Sequence, residues 1–280
     1  MIIELPNILE VIEKVESVES SFNGKTQPIK RWIAEQREYI NFNLDLIKRG
    51  DDSSDIQILL SLLRDYLVRA MTGEMGERTF NELRKIVKGK KDLTPENYHR
   101  ALENARYRWG ASNGAAVISD VVNYFGVKLG WKWNFYISKA EQYSSNNFLD
   151  DEILKINNIS FKVRDLALSS FSPNYAAFDL HLSRVPTRIG LLNYGYGIEG
   201  NFIEMGNNPQ NPKNYLFLHQ LFHKLSRLSG GKYMLVDFDR LFWHLGRSTC
   251  GATPNCRECG ICKICLTGKH FQVKADSFIK

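Results

Sequence analysis

Leu241-Phe242-Trp243-His244-Leu245-Gly246-Arg247-Ser248-Thr249-Cys250, continuing as GATPNCRECGICKIC to Cys265, is the stretch whose reading decides the fold. It holds all five cysteines of a 280-residue chain: Cys250, Cys256, Cys259, Cys262 and Cys265. A disulfide framework spreads cysteines along the chain to close loops, so this clustering points to a metal site in a reducing compartment. Two ligand sets are open. Cys250, Cys256, Cys259 and Cys265 give C-x5-C-x2-C-x5-C, whereas Cys256 through Cys265 alone give C-x2-C-x2-C-x2-C, close to the bacterial ferredoxin run. On spacing alone, four thiolates suit a 4Fe-4S cluster or a tetrahedral zinc.

Upstream, most of the sequence reads as helix. Ile56, Leu59, Leu60, Leu63 and Leu67 recur at spacings of three and four, which makes one apolar helical stripe. Thr94-Pro95-Glu96 is a start signal: a hydroxyl cap, a proline at the first helical position and an acid near the positive end. Asn113 to Tyr124 fits a helix or a buried strand by periodicity, and its length and neighbours favour helix. An amphipathic helix is expected from about Pro28 to Lys48, after a break at Asn23-Gly24. Residues 193–214 are rich in Gly, Asn and Pro and read as a long loop, with a helical run from Tyr215 to Leu228. Gly195, Gly197 and Gly200 in that loop match G-x-G-x-x-G, but the flanks lack the strand and helix that a dinucleotide site needs.

Hydrophobic residues make up 43% of the chain and charged residues 24%, enough for a buried core on a soluble surface. The formal net charge is +6, a basic excess compatible with a polyanionic partner. No apolar run reaches the roughly 18 residues that span a bilayer, so no membrane partner is expected. Met1-Ile2-Ile3-Glu4-Leu5-Pro6 lacks the features of a secretion signal, which leads to an expected location in the cytoplasm, with DNA.

The residues before the cysteines carry a resemblance. Leu241 through Cys250 closely resembles the helix that leads into the first cluster ligand of endonuclease III, where a similar helix ends in His-Gly-Arg-x-x-Cys or a near variant. That family continues C-x6-C-x2-C-x5-C; this chain has one residue fewer in the first gap, and Cys262 is additional. The resemblance selects Cys250, Cys256, Cys259 and Cys265 as ligands of a 4Fe-4S cluster, with zinc the alternative, and leaves Cys262 as a nearby thiol. It also implies that Arg247, Arg257, Lys263 and Lys269 face DNA phosphate.

Two further segments are similar to the same family. Ile156-Asn157-Asn158-Ile159-Ser160-Phe161-Lys162 resembles its hairpin L-P-G-V/I-G-x-K, with Ile156 and Ile159 at the apolar positions. Asn157, Asn158 and Ser160 replace Pro, Gly and Gly, and Lys162 falls on the nucleophilic lysine of the bifunctional branch. Hairpin glycines permit positive φ and close approach of backbone N–H groups to phosphate, so their replacement is a departure that matters. Phe178-Asp179-Leu180-His181-Leu182-Ser183-Arg184-Val185 resembles V-D-T-H-x-x-R-V, which places Asp179 on the essential aspartate. By this resemblance Asp179 stabilises the positive charge that develops on the sugar, and Lys162 attacks C1′. Lys162 must be unprotonated to attack, and Arg164 is a candidate cationic neighbour to lower its pKa.

The resemblance implies an all-α, two-lobed helix-hairpin-helix DNA glycosylase fold with an iron–sulfur loop. Residues 1–54 form a helical extension, 55–192 a helical barrel lobe with its hairpin at about 153–168, 193–214 a loop insertion, and 215–280 the C-terminal helices and cluster loop. The expected protein is a monomeric base-excision glycosylase with AP lyase activity. It binds double-stranded DNA containing a lesion or mismatch in a cleft between the lobes, and a pocket near Lys162 and Asp179 receives the base. A non-catalytic DNA-binding or redox-sensing iron–sulfur protein of the same fold is the alternative, as is a zinc-stabilised DNA-binding module.

Overall fold

A computed structural model describes residues 7–67, 73–191, 209 and 211–270. Helices dominate them, as expected, and one pair of short strands is the exception. The chain divides into two compact units, one of residues 1–37 with 176–280 and the other of residues 38–175. The breaks expected from the sequence lie after residues 54 and 192.

The discontinuous unit opens with α1 (Ile8–Val15), whose Val11, Ile12 and Val15 are buried. The Asn7 side chain caps it by accepting from the N–H groups of Leu9 and Glu10. Strands β1 (Glu19–Phe22) and β2 (Lys25–Pro28) then pair antiparallel around Asn23-Gly24. Both turn residues have positive φ, 49° and 75°, the combination a two-residue hairpin loop demands and Asn-Gly supplies at least cost. The break read from the sequence is thus a hairpin turn, and residues 1–54 are not purely helical. Helix α2 (Ile29–Arg49) follows as expected.

The continuous unit contains α3 (Asp52–Leu67), α4 (Gly73–Ile86), α5 (Pro95–Asn104), α6 (Ala111–Val122), α7 (Trp133–Asn146) and α8 (Phe161–Leu168). The α3 stripe is buried throughout. Thr94 caps α5, its hydroxyl accepting from the Asn97 N–H at 3.3 Å with Pro95 at the first helical position. The 113–124 segment is helical, and it runs on into a wider π turn at Asn123–Lys128. Polar side chains tie the helices internally: the Asn43 carboxamide donates to the Ser170 carbonyl at 2.8 Å, and the Trp133 indole donates to Asp55 at 2.7 Å.

Arg164 is the largest of these anchors and is 1% exposed. Its guanidinium donates to Asp165 at 2.6 and 2.8 Å and to Ser144 at 3.0 Å, and it faces Asp151 at 3.5 Å. Burial pushes the Asp151 carboxyl above its usual range, and Arg164 opposes that shift. The partners of Arg164 are thus buried carboxylates, where the sequence offered it as a neighbour of Lys162.

The discontinuous unit is completed by α9 (Leu180–Ile189), α10 (Pro212–Leu228) and α11 (Leu235–Arg247). Helix α10 starts earlier than Tyr215 because Asn211 caps it, accepting from the Lys213 N–H at 2.8 Å, and Pro212 opens it. Phe222 packs against Phe178, Phe238 and Phe242 with ring centroids 5.0–5.6 Å apart. Arg37 grips the fully buried Asp237 of α11 with two parallel bonds, and Asp237 also accepts from the Met234 N–H at 2.7 Å. Most of the expected 193–214 loop, including its G-x-G-x-x-G, lies outside the described residues.

Arg164→Met is expected to cost about 3–5 kcal/mol, because it leaves Asp151 and Asp165 buried without their cation. Tyr98→Phe removes a buried hydroxyl that has no partner among the described residues, and should change stability by less than about 0.5 kcal/mol. Urea unfolding of the two variants beside wild type measures both.

Candidate metal centre and catalytic residues

Helix α11 delivers the chain to the cysteines. Its apolar face, including Leu235, Phe238, Leu241, Phe242 and Leu245, is buried, and it ends at Ser248, whose N–H returns to the His244 carbonyl. Three residues of the His-x-Gly-Arg stretch have separate physical tasks. His244 is buried with its Nδ1 3.0 Å from the Ser20 hydroxyl and its ring stacked on Trp32 at 4.9 Å. A Cβ on Gly246 would lie 2.6 Å from the His181 ring nitrogen, so only glycine allows α9 this close to α11. Arg247 is exposed, its guanidinium held over the rings of Phe22 and Trp243 at 5.1 and 4.5 Å.

The loop that follows is a series of tight turns. The Cys250 N–H donates to the Leu245 carbonyl, Cys259 to Cys256, Cys262 to Cys259 and Cys265 to Ile261, while the Ile261 side chain is buried beneath them. Arg188, near the end of α9, clasps the start of the loop. It donates to the carbonyls of Cys250, Gly251 and Ala252 and approaches the Cys250 sulfur at 3.7 Å. Its own carbonyl accepts from the Thr267 hydroxyl at 2.8 Å, which ties down the other end. No motif in the sequence marks Arg188; only the fold brings it to the thiols.

Electrostatics group the sulfurs further. Burial pushes the Cys265 thiol up to about 12, and Cys259, Cys256 and Cys250 raise it as well, while the Gly268 N–H at 3.1 Å from its sulfur works against them. Burial also raises Cys250, against the pull of Arg188. The fifth thiol, Cys262, responds first to burial and then to Cys259. Thiolates gathered in this way repel unless a bound cation offsets their charge. Among the described residues, no three His, Cys, Asp or Glu side chains converge closely enough to enclose one metal ion.

Asp179 is the N-cap of α9, its Oδ1 accepting from the N–H groups of His181 and Leu182 at 2.7 and 3.2 Å. Both bonds use one oxygen, so the cap leaves Oδ2 uncommitted by these contacts. His181 lies against Gly246 and edge-on to Trp243.

Lys162 belongs to the other unit, in the first turn of α8 and half-buried. The segment before it folds as a single 3-10 turn, Glu152–Lys155, then a tight turn in which the Ile159 N–H donates to the Ile156 carbonyl. The first helix of the expected 153–168 hairpin is therefore much reduced. Asn158 takes φ 67°, the left-handed position a hairpin glycine would serve, whereas Ser160 is extended at φ −88° and needs no glycine. Ser160 makes no side-chain cap, so the backbone donors of the first α8 turn are not satisfied by it. Arg257 and Lys263 are exposed in the cysteine loop.

No protein-family model matches this chain, and no curated protein is similar to it.

The burial of His244 has a consequence for pH. Its pKa falls to about 3 because burial disfavours the imidazolium, and Arg240 and Arg247 repel it. The unfolded chain therefore takes up this proton near pH 6.5 while the folded chain does not. Stability is full above about pH 6.5 and drops by about 1.4 kcal/mol per pH unit as pH falls toward 3. Between pH 7 and pH 5 the loss from this residue is about 2 kcal/mol. Comparing the pH dependence of unfolding in wild type and His244→Phe isolates it: the variant should be flatter by that amount.

Proposed function

We propose that this protein is a base-excision DNA glycosylase with AP lyase activity, built on a helix-hairpin-helix fold of the endonuclease III type. The observation that carries the reading is α9, which holds the Asp179 carboxylate at its first turn and grips the cysteine loop with Arg188 at its last. A loop of thiols and exposed cations is thereby fixed to the same short helix as the candidate catalytic carboxylate.

Cys250, Cys256, Cys259 and Cys265 would hold the metal group. A single tetrahedral zinc, with Zn–S near 2.3 Å, needs four sulfurs within about 4 Å of one another. The α11 resemblance favours a 4Fe-4S cluster over such a zinc. Bound, such a cluster supplies structural crosslinks; Arg257, Lys263 and Arg247 then meet phosphate and give a salt-sensitive, sequence-independent affinity.

The chain's own residues do the rest. Asp179 stabilises positive charge on the deoxyribose as the glycosidic bond breaks. Lys162 Nζ bonds to C1′ as the C1′–base bond breaks and gives up one proton. The C1′–O4′ bond then opens, O4′ takes a proton and a protonated Schiff base forms. Loss of a C2′ proton expels the 3′ phosphate by β-elimination. The uncapped start of α8 is suited to holding a phosphate while Lys162 reacts. The lesion must leave the stack for this chemistry to reach it.

Purified without air, the protein should be brown with about four irons per chain. Cys262→Ser keeps the colour and Cys250→Ser loses it; a colourless protein with one zinc per chain overturns the cluster. Borohydride should trap wild type on an abasic-site duplex, Lys162→Gln should not trap, and Asp179→Asn should slow base release by about 100-fold or more. Failure of wild type to release a base from any of a panel of lesion duplexes favours the non-catalytic alternative.

A further inference from the structure

Cys262 is the thiol that the proposed metal set leaves over. With it the sequence runs C-x2-C-x2-C-x2-C from Cys256 to Cys265, three overlapping C-x-x-C units, the spacing of dithiols that interconvert with a disulfide. The fold treats the three units differently. The Cys259 N–H donates to the Cys256 carbonyl at 3.3 Å and the Cys262 N–H to the Cys259 carbonyl at 3.0 Å, so each of these pairs closes a single turn. The Cys265 N–H turns instead to the Ile261 carbonyl, at 3.0 Å.

Turn closure brings the Cα atoms of residues i and i+3 within about 7 Å, and a disulfide spans about 4.4–6.8 Å between Cα atoms. Cys259 and Cys262 therefore meet the backbone condition for a bond. Cys262 is also braced from the far side. A Cβ on Gly268 would run into the Cys262 carbonyl, so glycine there lets the chain after Cys265 lie directly on the Cys262 backbone. The sulfurs differ in how they are engaged. Arg188 approaches that of Cys250, the Thr249 hydroxyl that of Cys259 at 3.7 Å, and the Gly268 N–H that of the buried Cys265. The Cys262 sulfur has no hydrogen bond among the described residues and is half-buried. Cys256 shares that freedom, but it lacks the Gly268 brace and its turn closes with the longer bond.

We propose that Cys262 and Cys259 form a reversible disulfide, with a small-molecule disulfide of the glutathione type as the oxidant. Cys262 Sγ attacks one sulfur of that disulfide while its proton passes to the departing small thiol, which leaves a mixed disulfide on Cys262. Cys259 Sγ then attacks the Cys262 sulfur, its proton goes to the second small thiol, and the Cys259–Cys262 bond remains. Two protein thiols are oxidised, and one small disulfide is reduced to two thiols. Cys259 belongs to the proposed metal ligands, so the disulfide and the complete metal site exclude each other. Bonded in this way, Cys259 is shielded from the irreversible step to sulfinic acid, and reduction returns it to the ligand set. That consequence rests on the metal-site reading above; the bond itself does not.

The test takes full-length protein, stripped of metal by chelator and dithiothreitol and moved without air into glutathione disulfide. Free thiols are then alkylated and the chain is cut with trypsin. Both cysteines fall in one peptide, Glu258–Lys263, whereas Cys256 lies in the peptide before it and Cys265 in the one after. Wild type should yield that peptide unalkylated and lighter by two hydrogens, and dithiothreitol should restore both alkylation sites. Cys259→Ser should instead retain glutathione on Cys262, because the second attack is lost. A fully alkylated Glu258–Lys263 peptide in wild type, or its crosslinking to the Cys256 peptide, overturns the proposal. So does glutathione on Cys256 and not on Cys262 in Cys259→Ser. Metal uptake is scored separately with zinc alone: the oxidised chain should bind it at least about tenfold more weakly than the reduced chain. Equal binding by the two forms overturns the mutual exclusion. If neither form binds zinc, the metal-site reading fails while the peptide map still decides the disulfide.

Discussion

The close approach of α9 to α11 is the constraint on which the candidate site depends. Gly246 has no side chain where the His181 ring rests, and the helices meet there. Because they meet, Arg188 reaches three carbonyls and one sulfur of the cysteine loop, and Thr267 reaches back to Arg188. Asp179 sits at the opposite end of the same helix. A side chain at residue 246 would have to push α9 away or rotate His181, and the Arg188 clasp would loosen. The glycine in this stretch is a packing requirement, independent of whatever the thiols bind.

Much of the local structure was legible in the sequence, because it rests on short-range rules. The α3 stripe and the Thr94-Pro95 cap stand where periodicity and capping chemistry place them. Asn158 was legible as a residue that tolerates the left-handed region, and it is the one that adopts it. The β-hairpin also had its signal, Asn-Gly between two short runs, but so few residues on each side give a strand pattern little weight. Unit boundaries were less legible. They depend on where long-range contacts gather, and α2 and its neighbours give no change in composition at residue 37.

The candidate site divides along the same line. Cysteine spacing, the Asp179 cap and the hairpin lysine are sequence-local features. Arg188 and the Phe22–Arg247–Trp243 arrangement arise from contacts between distant positions. Arg164 illustrates the limit best. Beside a candidate lysine in sequence, it looked like a modulator of that lysine. In space it faces inward, where Asp151 and Asp165 hold it.

The split of one unit between residues 1–37 and 176–280 imposes an order on biogenesis. The continuous unit leaves the ribosome whole and can collapse while translation proceeds, since domains generally fold as units and N-terminal ones first. The first 37 residues, with their Asn-Gly hairpin and the apolar face of α1, must wait for partners encoded more than a hundred residues later. Ser20 cannot meet His244, nor Arg37 meet Asp237, until residues well past the continuous unit have been made. The thiols, at residues 250–265, follow these. Any metal that the thiols take up therefore meets a chain whose continuous unit, residues 38–175, is able to have folded already.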